Sequence, residues 1–329
     1  MTTIETVRGP VAAERIGVTL THEHIFTKNP ELEADYPDPE WQEEKAIATA
    51  VEALIALRAL GIETMVDLTV PGLGRHIPRI QRVAALVDMN IVVATGYYTF
   101  KDLPSYFQTH GPGRMVDVPD PLPAFFIKDI TTGIGDTGVK AALIKVATDA
   151  HGMTPDVERV MRAAATAHLE TGATISTHTH VEHFTGRDQQ KYFASQGVSL
   201  EHVVIGHCGD STDIDYLREL MDNGSTIGLD RFGMEQVLPD ELRVNTLVTL
   251  CELGYADRLT LSHDAGIFSI NTPPLWRARV APNWHHANIS SRILPMIRER
   301  GVSDDTIHQI MVINARRVLT GRVLVGSGN

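Results

Sequence analysis

Apolar residues recur along the chain as short continuous runs, separated by longer amphipathic segments. The runs do not alternate between apolar and polar positions, so they indicate strands that are buried on both faces of a parallel sheet. Eight runs of this kind predict strands at residues 17–25, 63–69, 91–96, 141–148, 174–179, 203–207, 226–230 and 259–264.

The segments between these strands show helical periodicity. The clearest are residues 43–60, 77–87, 156–170, 214–223 and 240–253. Eight strands alternating with helices favour a closed (β/α)8 TIM barrel over an open doubly wound sheet. No glycine-rich phosphate motif follows the first strand, which argues against a dinucleotide-binding fold. We find no linker, so we expect one domain over residues 1–329, with residues 1–16 as a short lead-in.

Composition narrows the classes of partner. The chain has 329 residues, of which 43% are hydrophobic, and its net charge of −12 argues against nucleic acid or an anionic membrane surface as the main partner. No stretch approaches the ~20 apolar residues of a membrane span, and no secretion signal opens the chain. Two cysteines are too few for a disulfide framework. We therefore expect a cytoplasmic protein that acts on a small molecule.

Six side chains that bind metals or carry charge lie toward the carboxyl ends of five predicted strands. They are His22, His24, Lys145, His178, His207 and Asp264. His22 and His24 are two positions apart, so both face one side of the first strand while Glu23 faces the other. Since all barrel strands end at the same mouth, we expect the six to meet there. The sequence therefore predicts a metal site.

Each residue also has a structural interpretation when it is taken alone. The two histidines of the first strand could be half-exposed at a strand end, His207 could be a hydrogen-bonded core imidazole, and Asp264 could cap a loop. Joint occurrence at strand ends favours the metal interpretation. Among the remaining histidines, His263 should face outward in a structural role and His180 should lie in a loop. We expect loop or solvent positions for His183, His285 and His286.

Lys145 is the most informative of the six. Burying an unpaired ammonium costs several kcal/mol, so burial favours the neutral amine. A neutral amine beside two cations can react with CO₂, and the two oxygens of the resulting carbamate could bridge both ions. Two divalent ions with Asp264, the carbamate and a hydroxide leave a net charge of about +1, enough to polarise a substrate oxygen. The alternative is an ordinary ion pair between Lys145 and an aspartate.

These residues sit within longer motifs. They are Gly-Val-Thr-Leu-Thr-His-Glu-His at 17–24, Val-Asp-Leu-Thr at 66–69, Ala-Thr-Gly-Tyr-Tyr at 94–98, Ile-Lys-Val-Ala-Thr-Asp at 144–149, Ser-Thr-His-Thr at 176–179, Ile-Gly-His-Cys-Gly-Asp at 205–210, Gly-Leu-Asp-Arg-Phe-Gly at 228–233 and Leu-Ser-His-Asp at 261–264. Through them the chain resembles, over nearly its full length, the phosphotriesterase-like lactonases of the amidohydrolase superfamily.

The resemblance implies a binuclear centre. His22, His24 and Asp264 would hold the more buried ion, His178 and His207 the more exposed one, and N6-carboxylated Lys145 would bridge them. Zinc is the first expectation, and cobalt, iron or manganese also suit these ligands. Tyr98 and Arg231 would line the substrate pocket, although Tyr98 could be an aromatic plug and Arg231 a salt-bridge partner of Asp210 or Asp213. The resemblance also implies a homodimer.

The implied activity is hydrolysis of N-acyl-homoserine lactones and related γ- and δ-lactones, as in quorum quenching, with weak phosphotriesterase activity. A bridging hydroxide would attack the carbonyl, and Asp264 would pass its proton to the ring oxygen. The short loop at 231–239 is one we associate with lactonases. The loop at 265–276 lacks the paired cysteines and early tryptophan of several relatives, but its apolar residues suit an acyl-chain groove.

Three alternatives stay open. The chain could be primarily an organophosphate triesterase. It could be a mononuclear deaminase or cyclic-amide hydrolase on the same barrel, which would not need Lys145 as a bridge. It could also be a non-catalytic barrel with a binding role.

Overall fold

The computed structural model describes residues 2–321 of the chain. Two short antiparallel strands, Thr3–Ile4 (β1) and Val11–Ala12 (β2), form a hairpin ahead of the main sheet. The main sheet contains nine strands, which are Thr19–Thr27 (β3), Thr64–Asp67 (β4), Asn90–Gly96 (β5), Leu143–Ala147 (β6), Ile175–His178 (β7), Val203–Ile205 (β8), Thr226–Leu229 (β9), Leu259–Leu261 (β10) and Gly266–Ser269 (β11).

All neighbours in the main sheet are parallel, and β3 to β10 follow one another in chain order. The short strand β11 pairs with the opposite edge of β3. Residues 259–269 therefore behave as one interrupted strand, which closes the sheet against β3. In the interruption, Asp264 N–H donates to the His22 carbonyl at 3.0 Å and His24 N–H donates to the Ala265 carbonyl at 2.9 Å. The predicted (β/α)8 TIM barrel is confirmed.

Helices separate the strands. They are Pro30–Glu33, Glu43–Ala59, Ile77–Ala84, Ser105–Thr109, Pro121–Thr131, Pro155–Thr171, Thr185–Ser195, Ile214–Asp222, Asp240–Glu252, Pro274–Val280, Leu294–Glu299, Asp304–His308 and Ala315–Thr320, with π-helical turns at Ile289–Ile293 and Gln309–Asn314. All five predicted helices are present. The helix Pro121–Thr131 was not predicted, although Asp120 caps it and proline occupies its first position, both of which favour a helix start.

Several predicted strands end earlier than their apolar pattern indicates, and in two of them the shortfall involves a candidate ligand. The predicted strands reach His207 and Asp264, whereas β8 ends at Ile205 and β10 ends at Leu261. Both residues adopt left-handed backbone conformations, with φ of 62° and 52° respectively. This conformation cannot continue a strand, so both side chains stand on turns just above the sheet. The first strand is longer than its pattern indicates, because β3 runs three residues beyond His24.

The hairpin closes the base of the barrel. Ile4 and Ile16 are buried in one cluster with Val66, Val92 and Leu143, which project from neighbouring strands. Met65 and Ile91, each one position earlier, belong to the larger cluster between sheet and helices, so the strands alternate between two apolar environments. With the base filled, the functional end of the barrel is the carboxyl mouth. Within residues 2–321, every helix is too short or too polar to cross a bilayer.

Gly96 at the end of β5 tests how tightly β5 and β6 pack. Its φ is 129°, and a Cβ built there would overlap the Lys145 carbonyl oxygen. We expect Gly96→Ala to destabilise the protein, because the strands must separate beneath Lys145. Gly61→Ala is the matched control, since Gly61 has φ of 91° and no atom within 4 Å of an added Cβ.

The control should lose about 1 kcal/mol from left-handed strain alone. Gly96→Ala should lose about 2 kcal/mol more, which is typical of overpacking. Urea unfolding monitored by circular dichroism measures both losses. Equal losses in the two variants would show that the strands have room to spare.

Candidate metal centre

The structure brings the six predicted side chains together at the carboxyl mouth of the barrel. His22 Nε2 lies 2.9 Å from Lys145 Nζ and 3.5 Å from Asp264 Oδ1. The same carboxylate oxygen lies 3.1 Å from His24 Nε2. All of these residues are buried except Asp264, whose side chain is 15% exposed. One carboxylate and two imidazoles therefore converge on a single point.

A second pair of imidazoles completes the cluster. His207 Nε2 lies 2.8 Å from His178 Nδ1, and 3.8 Å from the other oxygen of Asp264. Burial lowers the pKa of His178 to about 4 and that of His207 well below its usual value. Both rings are thus neutral at pH 7, which is the form that binds metals.

Asp230 orients two of these rings. Its carboxylate accepts from His22 Nδ1 at 2.6 Å and from His207 Nδ1 at 3.0 Å, and it also accepts from the His207 backbone N–H at 2.7 Å. Although Asp230 lies within ligand distance of both histidines, it contacts their outer nitrogens. It is therefore a positioning residue. Asp230 ends the predicted strand at 226–230 but is not among the predicted site residues, although a buried acid at a strand end is a usable signal.

The other two imidazoles are held in the same way. His24 Nδ1 lies 2.8 Å from Thr69 Oγ1, and His178 Nε2 donates to Asp149 Oδ2 at 2.7 Å. When the outer nitrogens of His178 and His207 carry protons, their inner nitrogens present lone pairs to each other at 2.8 Å. Converging lone pairs repel unless a cation neutralises them. With outer nitrogens held by protein groups, as in metal sites generally, this donor set fits metal ions.

Lys145 has the environment that the sequence predicts. Its side chain is 1% exposed, and its amine lies 3.3 Å from the Thr177 carbonyl oxygen in addition to His22. No carboxylate of residues 2–321 lies within 4 Å of it, so the ordinary ion pair is not formed. Burial lowers the pKa of the amine to about 8, which brings the neutral, CO₂-reactive form within the physiological range.

Tyr98 and Arg231 line the same cavity, which has a volume of about 150 Å³. The Tyr98 hydroxyl lies 3.4 Å from His178 Nδ1, with the two rings edge to face. Arg231 donates from Nε to Asp264 Oδ2 at 3.1 Å and from Nη1 to Asp210 Oδ2 at 2.9 Å. The salt bridge considered for Arg231 is thus present, and it is shared with a candidate metal ligand.

Comparison with known proteins agrees with this geometry. A model of the phosphotriesterase family matches residues 2–319. This chain belongs to the phosphotriesterase family. It is 49% identical over 318 residues to a phosphotriesterase homology protein of Mycobacterium tuberculosis, covering 97% of this chain and 98% of that protein. It is 35% identical over 309 residues to an aryldialkylphosphatase of Saccharolobus solfataricus, covering 93% and 96%.

A solved structure of the phosphotriesterase from Mycobacterium tuberculosis superposes with a TM-score of 0.94 and 48% identity, covering 96% of this chain and 98% of that one. The phosphotriesterase family comprises binuclear metal hydrolases. The chain is therefore a phosphotriesterase-family hydrolase, and its convergent ligands suit the metals of that family.

In this phosphotriesterase-family chain, Glu23 supports the candidate metal centre from the opposite face of β3. It is completely buried and faces away from His22 and His24, as predicted. Its carboxylate accepts from His263 Nδ1 at 2.6 Å, from the His263 backbone N–H at 3.0 Å and from the Ala265 N–H at 3.2 Å. These bonds fix the residues on both sides of Asp264, which explains how its left-handed backbone is maintained.

Other sequence predictions have mixed outcomes. His263 is structural, as expected, and His180 lies in a loop. His286 was expected in a loop or in solvent, and it lies in a turn. Its ring is buried, however, and its Nε2 lies 2.9 Å from the Ala265 carbonyl oxygen beside Glu23. The His286 ring stands edge to face with that of His263, with 6.3 Å between the ring centroids, a contact that sequence spacing alone does not reveal.

The apolar residues of the loop at 265–276, which were predicted to suit an acyl-chain groove, line a groove on the outside of the barrel. Ile267, Phe268 and Leu275 line a separate outer groove of about 400 Å³ against the helix Glu43–Ala59. The same loop presents Ser269 and Asn271 to the metal-centre cavity instead. The apolar and polar residues of this loop therefore line different cavities, a division that the apolar pattern of the loop did not predict.

We expect Glu23→Gln to weaken metal binding by about 10- to 100-fold, the usual effect of losing an orienting partner. Glutamine keeps the shape, but its amide nitrogen accepts no hydrogen bond. One of the two backbone N–H groups beside Asp264 therefore loses its acceptor, and Asp264 loses its support. Metal retained during dialysis against a graded chelator, measured by elemental analysis, reports the change. The control is Glu158→Gln on an exposed helix face, and equal retention in both variants would contradict the role of Glu23.

Proposed function

We propose that this chain is a metal-dependent lactonase that opens N-acyl-homoserine lactones and related γ- and δ-lactones, with weak phosphotriesterase activity. The carrying observation is the cavity of about 150 Å³ in which the candidate ligands, Tyr98 and Arg231 meet. A lactone keeps its leaving oxygen within a small ring. An aryl dialkyl phosphate presents three separate groups, each of which needs space, so the cavity suits a lactone better.

The ligand set divides into two groups around Lys145. His22, His24 and Asp264 would hold one divalent ion and His178 and His207 the other, with N6-carboxylated Lys145 between them. Zinc suits these nitrogen and oxygen donors, as do cobalt, iron and manganese. When bound, the ions supply Lewis-acid polarisation of the ester oxygen and a water of lowered pKa.

The chain's own residues do the rest. Asp264 accepts the proton of the attacking water and returns it to the ring oxygen as the ring opens. Burial alone would favour protonated Asp264, but nearby His207, His24 and Arg231 hold its pKa well below its usual value, so the carboxylate starts ionised. Arg231 keeps the carboxylate turned toward the cavity, and Tyr98 packs against the lactone ring.

A second candidate is a primary organophosphate triesterase, which the aryldialkylphosphatase relative favours. Purified, metal-loaded protein should hydrolyse N-octanoyl-homoserine lactone with a kcat/KM at least about tenfold above that for diethyl 4-nitrophenyl phosphate, a difference of about 1.4 kcal/mol in transition-state stabilisation. A pH-indicator assay and nitrophenolate release measure the two rates. A large preference for the phosphate would overturn the lactonase assignment.

The carbamate at Lys145 has a separate test. We expect protein exchanged into ¹³C-bicarbonate to show a carbamate resonance by ¹³C NMR, and Lys145→Ala to lack it. Elemental analysis should find two ions per wild-type chain and fewer in the variant, because one bridging ligand is lost. One ion per chain, unchanged by Lys145→Ala, would instead support the mononuclear deaminase or cyclic-amide hydrolase considered above.

A further inference from the structure

A buried arginine of the helix that follows β9 reaches back toward the candidate metal centre. The side chain of Arg243 is 0% exposed. Its Nη2 donates to Asp210 Oδ1 at 2.6 Å, and its Nη1 donates to the carbonyl oxygens of Met234, at 3.3 Å, and of Leu238. Arg243 therefore ties a helix of the outer layer both to the carboxylate of Asp210 and to the loop that follows Arg231.

Asp210 connects Arg243 to the cavity. One of its carboxylate oxygens accepts from Arg243, and the other accepts from Arg231 Nη1 at 2.9 Å. Arg231 in turn donates from Nε to Asp264 Oδ2 at 3.1 Å. The four side chains thus form a line in which carboxylates and guanidinium groups alternate. This line of charges runs from the outer helix layer to the candidate ligand Asp264.

The charges along the line are balanced. Two guanidinium groups face two carboxylates, and buried charges are tolerated when they are paired in this way. Among the salt bridges of residues 2–321, Asp210 has Arg231 and Arg243 as its partners. If Arg243 did not satisfy one oxygen of Asp210, this carboxylate would draw Arg231 away from Asp264. Arg243 thus allows one guanidinium to serve two carboxylates.

The line of charges holds a geometry and does not carry protons. Burial alone would lower the pKa of Arg231, but Asp210 and Asp264 raise it above its usual value. A guanidinium that keeps its proton cannot pass one on. What Arg243 contributes is therefore the position of Arg231 against Asp264.

We propose that Arg243 is a positioning residue for the chemistry at the barrel mouth. It fixes Asp210, which aims Arg231 at Asp264 and so keeps that carboxylate turned toward the cavity. The inference rests on the proposed role of Asp264 as a metal ligand and proton acceptor, but not on a lactone as the substrate. It therefore applies to whichever ester the protein hydrolyses.

Arg243→Lys is the informative substitution. Lysine keeps the positive charge but has one nitrogen in place of the fork, so it cannot hold Asp210 and the loop carbonyls together. It also removes Arg243 Nε, a buried donor without a partner in the described residues 2–321, which limits the loss of stability. We expect kcat to fall about tenfold and KM to change by less than about twofold, because Asp264 acts in the reaction and not in substrate binding.

Arg159→Lys is the matched control. Arg159 is also a buried arginine of an outer helix, and it donates to the Asp120 carboxylate at 2.7 Å and to the His110 carbonyl oxygen at 2.8 Å. These partners lie outside the metal-centre cavity. The control should lower the melting temperature about as much as Arg243→Lys does and leave kcat within about twofold of wild type. Equal losses of kcat in the two variants would mean that Arg243 is merely structural.

A double-mutant comparison tests whether Arg243 acts through Arg231. In an Arg231→Met background, Arg243→Lys should lower kcat by less than about twofold, because no guanidinium is left to position. A further loss of about tenfold in that background would overturn the proposal, since Arg243 would then act through the loop alone. An unchanged kcat in the single variant Arg243→Lys would overturn it as well.

A measurement without substrate separates this inference from the proposed function. Protein loaded with Co²⁺ has visible absorption bands that depend on the geometry of the ligands, and hence on the orientation of Asp264. Arg243→Lys should change these bands, whereas Arg159→Lys should keep those of wild type. If this difference is present but neither the lactone nor the phosphate is hydrolysed, the proposed function alone is overturned. Wild-type bands in Arg243→Lys would overturn the positioning role, whatever the substrate.

Discussion

The contact between β3 and residues 259–269 is the interaction on which the rest of the structure depends. It closes the barrel, and it also carries three of the six candidate ligands. His22 and His24 lie on β3, and Asp264 lies in the interruption facing them. Glu23, between the two histidines, binds the backbone on both sides of Asp264. The same contact therefore closes the barrel and positions three candidate ligands, so a change that loosens it should affect both stability and the geometry of the candidate metal centre.

The mouth of the barrel concentrates groups that do not satisfy one another. Inner imidazole nitrogens face each other, and a buried amine lacks a carboxylate partner. Such an arrangement is costly unless cations bind, because burial removes the water that would otherwise solvate these groups. The surrounding residues keep the imidazoles in this arrangement, because Asp230, Thr69 and Asp149 contact their outer nitrogens. The arrangement fits the binding of metal ions.

A network of buried charges lies beside the candidate ligands. Arg231 continues into a buried chain of charges through Asp210 to Arg243, whose side chain is fully enclosed. These salt bridges fix one side of the cavity, and the charged groups on that side satisfy one another. These satisfied groups hold the Asp264 carboxylate in place through Arg231.

The order of elements, the barrel and the six residues at its mouth could be predicted from the amino-acid sequence alone. Buried parallel strands produce continuous apolar runs, and polar residues at their ends stand out against that background. It did not reveal Asp230, the burial of His286 or the two faces of β11, because these depend on which distant segments cover a side chain. Nor did it show that His207 and Asp264 stand on left-handed turns, since apolar pattern carries no sign of φ. A local sequence pattern carries information only about neighbours along the chain. The site is held by packing between residues some 240 positions apart, such as Glu23 and His263, which only the tertiary structure brings together.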